Sequence, residues 1–274
     1  MTYRDENRRR WQTVAAGWEK HADDIRRDTM PVTSWMLDAI EPQPGHQLLE
    51  VAAGIGDTGF LAAELIEPGG TLITSDLVPE MLSAAQRRAE ALGIGNVRFR
   101  QIDAEVIDQP AASLDGVIGR WAYMLMADAE AALRDTRRVL KPGGRLALAA
   151  WADPADNPWT VLPVKELQDR GLVEPVPPGP GQFAWAQAGT IEENLEAAGF
   201  VDFEVESLPF TVRYRSVDHW WEVANDIALR VRERAGRDQD GEILEALSAR
   251  ARPWTAEDGS LELPARTWVA AATA

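Results

Sequence analysis

The chain has 274 residues, 45% of them hydrophobic and 26% charged, with a net charge of -16 and no cysteine. Single cores grow to about 250–300 residues, so this length admits one large α/β domain with an added cap, or two modest domains. The acidic balance repels phosphate backbones and disfavours nucleic acid as a partner, and the lack of thiols excludes disulfides, thiolate nucleophiles and cysteine-bound metals.

The opening Met1 to Arg10 is polar where a secretory leader needs an apolar core, and no apolar run approaches the ~20 residues of a membrane span. A cytoplasmic protein acting on a small molecule, monomer or homodimer, is the expectation. Residues 1–40 predict an N-terminal helical lid. Trp11, Val14, Ala15 and Trp18 recur at helical spacing, and Pro31 is expected to set apart a second stretch, Trp35-Met36-Leu37. Arg8-Arg9-Arg10 reads as a solvated face of that lid.

An α/β core is expected over 41–151. Its strands are Gln47 to Ala52, Thr71 to Asp76, Asn96 to Ile102, Leu114 to Gly119 and Arg145 to Trp151. Helices fall between them, stopped by Pro68-Gly69-Gly70, by Gly93 and by Lys141-Pro142-Gly143-Gly144. Such alternation implies a parallel sheet wound on both faces, which binds ligands beyond the carboxyl ends of its strands. Residues 152–189, broken by Pro154, Pro158, Pro163 and the run Pro175 to Gly181, read as a substrate-side insertion. The core resumes over 190–214 with a helix and the alternating strand Val201, Phe203, Val205. A helical cap insertion is expected over 215–255 and the last core strand, Leu261 to Ala272, within 256–274, where Pro264 favours a bend or an unpaired position. The expected fold is α/β: a doubly wound, mostly parallel, seven-stranded Rossmann-like sheet.

The strand-to-helix turn Glu50-Val51-Ala52-Ala53-Gly54-Ile55-Gly56 carries the first chemical signal. Glycine there lets a ligand approach the backbone, because a side chain at Gly54 or Gly56 would occupy the space the ligand needs. A dinucleotide's pyrophosphate could use such a turn, and so could a purely structural bend. Glu50 suits a cationic ligand better than phosphates. Asp76, ending the second strand, can accept from both ribose hydroxyls, and Asp103-Ala104, after the third, can address an adenine amino group.

Together these motifs resemble the class I S-adenosyl-L-methionine (SAM)-dependent methyltransferases, in particular the group related to quinone-biosynthesis methyltransferases. Leu49 to Asp57 looks like the family's first motif, although Ala52 stands where many members carry glycine. Asp76 resembles its ribose-binding acid, Asp103-Ala104 its adenine pair, and Leu140 to Gly144 the turn before its fifth strand. The resemblance implies SAM as cofactor, an antiparallel final strand, and a cofactor-binding set of Glu50, Ala52, Gly54, Gly56, Thr58, Asp76, Leu77, Met81, Asp103, Ala104, Gly119 and Arg120. In it, Glu50 and Gly54 border the methionine moiety, and Gly119 to Trp121 floor the site near the methyl group.

For the acceptor, the expectation is an aromatic or hydrophobic small molecule, methylated at oxygen or carbon rather than nitrogen. Trp18, Trp121, Tyr123 and Trp159 are the candidate substrate contacts. His21 in the lid and His219 in the cap are the candidate general bases, and His46, before the first strand, is set aside. No metal is expected, because no histidine pair or carboxylate–histidine cluster stands at ligand spacing. The competing readings are an NAD(P)-dependent oxidoreductase on a similar sheet and a non-catalytic SAM-binding protein.

Overall fold

The structure is a computed structural model and describes residues 2–175, 178–229 and 240–274. Two helices precede the sheet, α1 (Tyr3–Lys20) and α2 (Ala22–Ile40). Thr2 and Asp5 form a reciprocal capping box that starts α1. The division of the lid falls at His21, not at Pro31 as the sequence suggested. Pro31 lies exposed inside a continuous α2, while Val32, Thr33, Met36 and Ile40 behind it are buried. Proline costs a helix about 3 kcal/mol, whereas burying each large apolar side chain returns about 1.5–3 kcal/mol, so the packed face outweighs the ring.

The core then runs β1 (Gln47–Glu50), α3 (Asp57–Leu65), β2 (Thr71–Asp76), α4 (Pro79–Leu92), β3 (Val97–Gln101), β4 (Leu114–Arg120), α5 (Ala129–Val139) and β5 (Leu140–Trp151). After α6 (Pro158–Asp169) and α7 (Thr190–Ala197) come β6 (Val201–Tyr214), α8 (Val217–Ala224), α9 (Asp240–Ala251) and β7 (Leu261–Thr273). The seven strands form one sheet in the order β3-β2-β1-β4-β5-β7-β6. Strands β1 to β5 pair in parallel, and β7 runs antiparallel to both β5 and β6. The order reverses between β1 and β4, which makes the ends of these strands the switch-point crevice.

Lys141 to Gly144 turn within β5. Leu140 pairs with Leu114 and Arg145 with Gly116, so four residues loop out of the ladder, with Gly143 at φ 79°. Strand β6 is longer than expected and with β7 rises past β5 as a two-stranded ribbon: β7 pairs with β5 from Thr273 to Thr267, but with β6 on to Leu261. Pro264 sits in this extension opposite Thr211, in register with β6 and without a β5 neighbour. It neither bends nor ends the strand, because on the β5 side no ladder bond is there to lose.

The ribbon carries a second core of Leu167, Tyr214, Trp220, Trp221, Ile243, Leu247, Leu261 and Leu263. Helix α6, inside the stretch read as irregular, starts with Pro158 in its first turn, where proline suits a helix, and buries Leu167 in this core. The expected cap helices appear as α8, a π turn over Asn225–Leu229, and α9, with 230–239 outside the described residues. Residues 176 and 177 of the proline-rich run also lie outside them.

Candidate functional site

The loop after β1 is tied down by its own neighbourhood. The Ala53 amide donates to the Ser75 carbonyl at 2.8 Å, the Ser75 hydroxyl donates to the Glu50 carbonyl at 2.8 Å, and the Gly56 amide donates to Ala53 O at 2.9 Å. Ala52 adopts φ 47°, the left-handed region that glycine takes without strain, which explains why glycine is common at this position in the resembling family. Gly54 (φ 57°) has open space where a Cβ would stand, as a ligand-facing glycine requires. Gly56 does not: a Cβ there would lie 2.4 Å from the Phe60 ring, so its requirement comes from packing rather than from a ligand.

Asp76 is the best-anchored acid of the site. Its Oδ2 accepts the Gly54 amide and its Oδ1 the Val78 amide, each at 2.9 Å, so one buried carboxylate joins β2, the loop and the start of α4. Burial pushes its pKa up to about 6 against these bonds. Glu50 is buried deeper, its Oε1 accepting the Gly59 amide at 3.0 Å and its Oε2 without a partner. Desolvation raises it to about 8. Thr58 also buries an unpartnered hydroxyl at the start of α3. Asp103 receives the Glu105 amide at 3.0 Å and meets Arg4 of α1 at 3.1 Å.

Helix α1 lies over this edge. Val14, Ala15 and Ala22 pack with Ile55 of the loop and with Val78, Met81 and Ala84 at the head of α4, and Trp11 and Trp18 flank the cluster. Met81 is therefore a buried packing residue beneath the lid. Trp18 donates its indole N–H to the Ile227 carbonyl at 3.1 Å, tying lid to cap. Gln12 bonds Glu80 at 2.7 Å and Arg87 forks onto Glu19. Leu77 accepts Gln101 through its carbonyl, and Ala104 packs at the rim of the main core.

At the end of β4 the expectations divide. Gly119 is an internal spacer, since a Cβ there would meet the Tyr123 ring at 2.6 Å. Tyr123 is 1% exposed, with its hydroxyl 2.9 Å from Thr136 and its ring on Trp185, so it belongs to the core and is no substrate contact. Trp121 is held at φ 55°, a strained setting for a bulky residue, and stacks on Trp151 at 4.2 Å with Phe210 at 6.2 Å. Its indole N–H donates to the Thr267 hydroxyl at 3.0 Å. Trp159 lies against Trp151 at 5.1 Å and completes an aromatic wall. The sequence concealed Thr267, because nothing marks a threonine in a late strand; Trp151, at a strand's carboxyl end, was the legible clue. A cleft of about 800 Å³ beyond β5 is lined by Ala152, Phe183, Gln187, Arg266 and Trp268 among others, and by none of the expected cofactor residues.

His21 and His219 come together, with ring centroids 6.1 Å apart and each 6% exposed. His21 Nε2 faces Asp226 at 2.9 Å. Asp24 joins the pair, one donor atom of each of the three lying within 4.8 Å of the others. This is a carboxylate–histidine cluster that local spacing could not reveal. The Arg215 amide donates to His219 Nδ1 at 3.2 Å, which leaves the proton of the neutral ring on Nε2, aimed at Asp24 3.6 Å away. That nitrogen is then a donor and not a lone pair for a metal. Burial holds the His219 pKa down, so the ring stays neutral at neutral pH. His46 accepts the Gln43 amide in the loop before β1, at the opposite ends of the strands.

Residues 32–158 match the profile of the ubiE/COQ5 methyltransferase family. Nocamycin O-methyltransferase of Saccharothrix syringae is 31% identical over 185 residues, 63% of this chain and 65% of that protein. The ubiquinone/menaquinone biosynthesis C-methyltransferase UbiE of Pasteurella multocida is 34% identical over 123 residues, 44% of this chain and 46% of that protein. The chain thus spans about half to two thirds of the length of these curated relatives. The solved YcgJ protein of Bacillus subtilis shares the fold, with a TM-score of 0.58 at 20% identity over 89% of this chain and 98% of that one. The profile match stops where α6 and the cap additions begin, so the similarity to the ubiE/COQ5 methyltransferases lies over the α/β core.

Proposed function

We propose that the protein transfers the methyl group of SAM to a small aromatic or hydrophobic acceptor, at oxygen or carbon in preference to nitrogen. The observation that carries this reading is the Asp76 carboxylate, fixed by the Gly54 and Val78 amides at the switch point beside the unpartnered Glu50 and Thr58 oxygens. Acids at successive strand ends fit a nucleoside whose reactive end is a cation, and would oppose a pyrophosphate. The relatives named for O- and C-methylation support the choice of acceptor atom.

SAM, when bound, supplies a methyl group activated on a sulfonium. Asp76, with lone pairs beyond its two backbone bonds, takes the ribose hydroxyls, and Asp103 the adenine amino group. Glu50, Gly54 and Thr58 border the methionine end. Trp11 and Trp18 on α1 close over the loop and exclude water. The wall of Trp121, Trp151, Phe210 and Trp159 offers the acceptor apolar faces to lie against, and orientation of this kind contributes about 7–11 kcal/mol. For a hydroxyl or acidic carbon we assign proton removal to His21: Nε2–H donating to Asp226 leaves Nδ1 as the base, and the next residue, Ala22, packs on the cofactor loop.

Two measurements test this. S-adenosylhomocysteine should raise Tm by several degrees and NAD should not; stabilisation by NAD alone overturns the reading. Labelled SAM incubated with a panel of phenols, quinols and amines should label a phenol or quinol first. Binding without transfer to any of them would leave a SAM-binding protein.

A further inference from the structure

Arg120 is a half-buried cation without an acid. It ends β4 at the switch point, donates from Nη1 to the Thr29 hydroxyl on α2, and carries its guanidinium 4.8 Å from the centre of the Trp121 ring. Three other half-buried arginines do have acids: Arg88 pairs with Asp57, Arg170 with Glu166 and Arg250 with Asp169. Arg120 has no carboxylate oxygen within ion-pair distance among the described residues, although the chain holds 44 acids to 28 bases. Glu50 and Asp57 stand near enough to act on it by charge, but neither bonds it. A guanidinium has five N–H donors in a planar fork, and here one is used.

The left-handed backbone at Trp121 and the bond to Thr29 hold that fork in one orientation at the cofactor edge. A desolvated, oriented and unpaired guanidinium is the group that recognises a carboxylate bidentately.

We propose that Arg120 is the carboxylate receptor of the active site and sets which ligands it accepts. The inference rests on the methyltransferase reading above. Two ligands can bring a carboxylate to this edge: the methionine end of the cofactor, or an acidic acceptor lying against the aromatic wall.

The experiment measures, by calorimetry, the wild-type protein, Arg120→Lys and Arg120→Met against two ligand pairs. The first pair is S-adenosylhomocysteine and its decarboxylated analogue. The second is 4-hydroxybenzoate and its methyl ester, each added to the S-adenosylhomocysteine complex. Wild type should favour the carboxylate member of one pair by about ten- to hundredfold, the magnitude of a charged hydrogen-bond pair. Arg120→Met should abolish that preference and Arg120→Lys keep part of it. Discrimination within the first pair assigns the carboxylate to the cofactor, and within the second to the acceptor. Adenosine, which lacks the carboxylate, should bind wild type and Arg120→Met alike and so report an intact fold. The proposal is overturned if wild type discriminates in neither pair, or if Arg120→Met discriminates as well as wild type. Loss of all adenosine and S-adenosylhomocysteine binding by wild type would instead remove the methyltransferase reading itself.

Discussion

Asp76 ends β2 and Trp121 follows β4 at the same sheet edge, yet they are held by different means. Asp76 is fixed by amides from its own neighbourhood, Gly54 in the adjacent loop and Val78 two residues on. Trp121 is fixed by Thr267, which arrives from the last strand, and by the rings of Trp151 and Phe210. The proposed nucleoside half of the site is thus made of bonds between backbone and carboxylate close to the strand ends. The proposed acceptor half depends on side chains from distant segments that meet only after β7 has inserted between β5 and β6. One half can be altered without the other, which suits a chain whose profile match ends at 158 while its additions continue.

The comparison breaks if a change on one side disturbs both. Asp76→Ala should have the largest effect: it removes the acceptor of two amides and the ribose partner, and charged hydrogen bonds contribute about 1.5–3 kcal/mol each, so S-adenosylhomocysteine affinity should fall roughly hundredfold or more by calorimetry. Unchanged affinity would remove the ribose assignment. Trp121→Ala should raise the acceptor KM by about tenfold while leaving cofactor affinity within about threefold, since it deletes one aromatic face and leaves the Arg120 guanidinium its bond to Thr29. Loss of cofactor binding in that variant would mean that the halves are coupled.

Glu50→Gln tests charge within the nucleoside half. Because the folded-state pKa of Glu50, about 8, lies above the 4.5 of the free group, the native state holds a proton that the unfolded chain has lost. Stability is therefore surrendered as pH rises from the unfolded value through the folded one, by about 5 kcal/mol at the limit. Gln keeps an oxygen for the Gly59 amide and lacks the titration. Its Tm should match wild type near pH 5 and exceed it by several degrees at pH 8. Above about pH 8, where the Glu50 carboxylate is charged, the substitution should also weaken the cationic SAM more than neutral S-adenosylhomocysteine. The smallest effect belongs to Arg4→Ala. Arg4 bridges Asp103 and Glu105 from a 45% exposed side chain, and such pairs contribute about 1 kcal/mol or less. Tm should move by no more than about 2 °C, while faster cofactor association in stopped flow would show that Arg4 guards the adenine acid.

Much of the fold was legible because its signals are local. Most core strands were marked by an apolar run and the helices between them by a glycine or proline stop, and the acids at the strand ends followed. Ala52 was also legible as a departure, and its left-handed φ supplies the reason. The misreadings came where packing overrides propensity. Pro31 marks a break in isolation, but it rides on the exposed side of a helix whose other face is buried. Tyr123 looked available beside Trp121, yet the chain turns there and sends its ring under β4 toward Thr136. Helix α6 was masked by Pro158 in its first turn and Pro163 inside it.

What the sequence by itself determined is the sheet edge proposed to take the nucleoside: the order of strands and helices, the loop from Glu50 to Gly56, and Asp76 and Asp103 at successive strand ends. These depend on contacts within a few dozen residues, so composition and spacing specify them. Only the tertiary structure decided the rest. It placed His21 beside His219 and Asp226, Thr267 under Trp121, and Thr29 against Arg120. Each of these contacts joins segments far apart in the chain, and a linear pattern holds no record of which distant side chains the packing of lid, ribbon and cap will bring face to face.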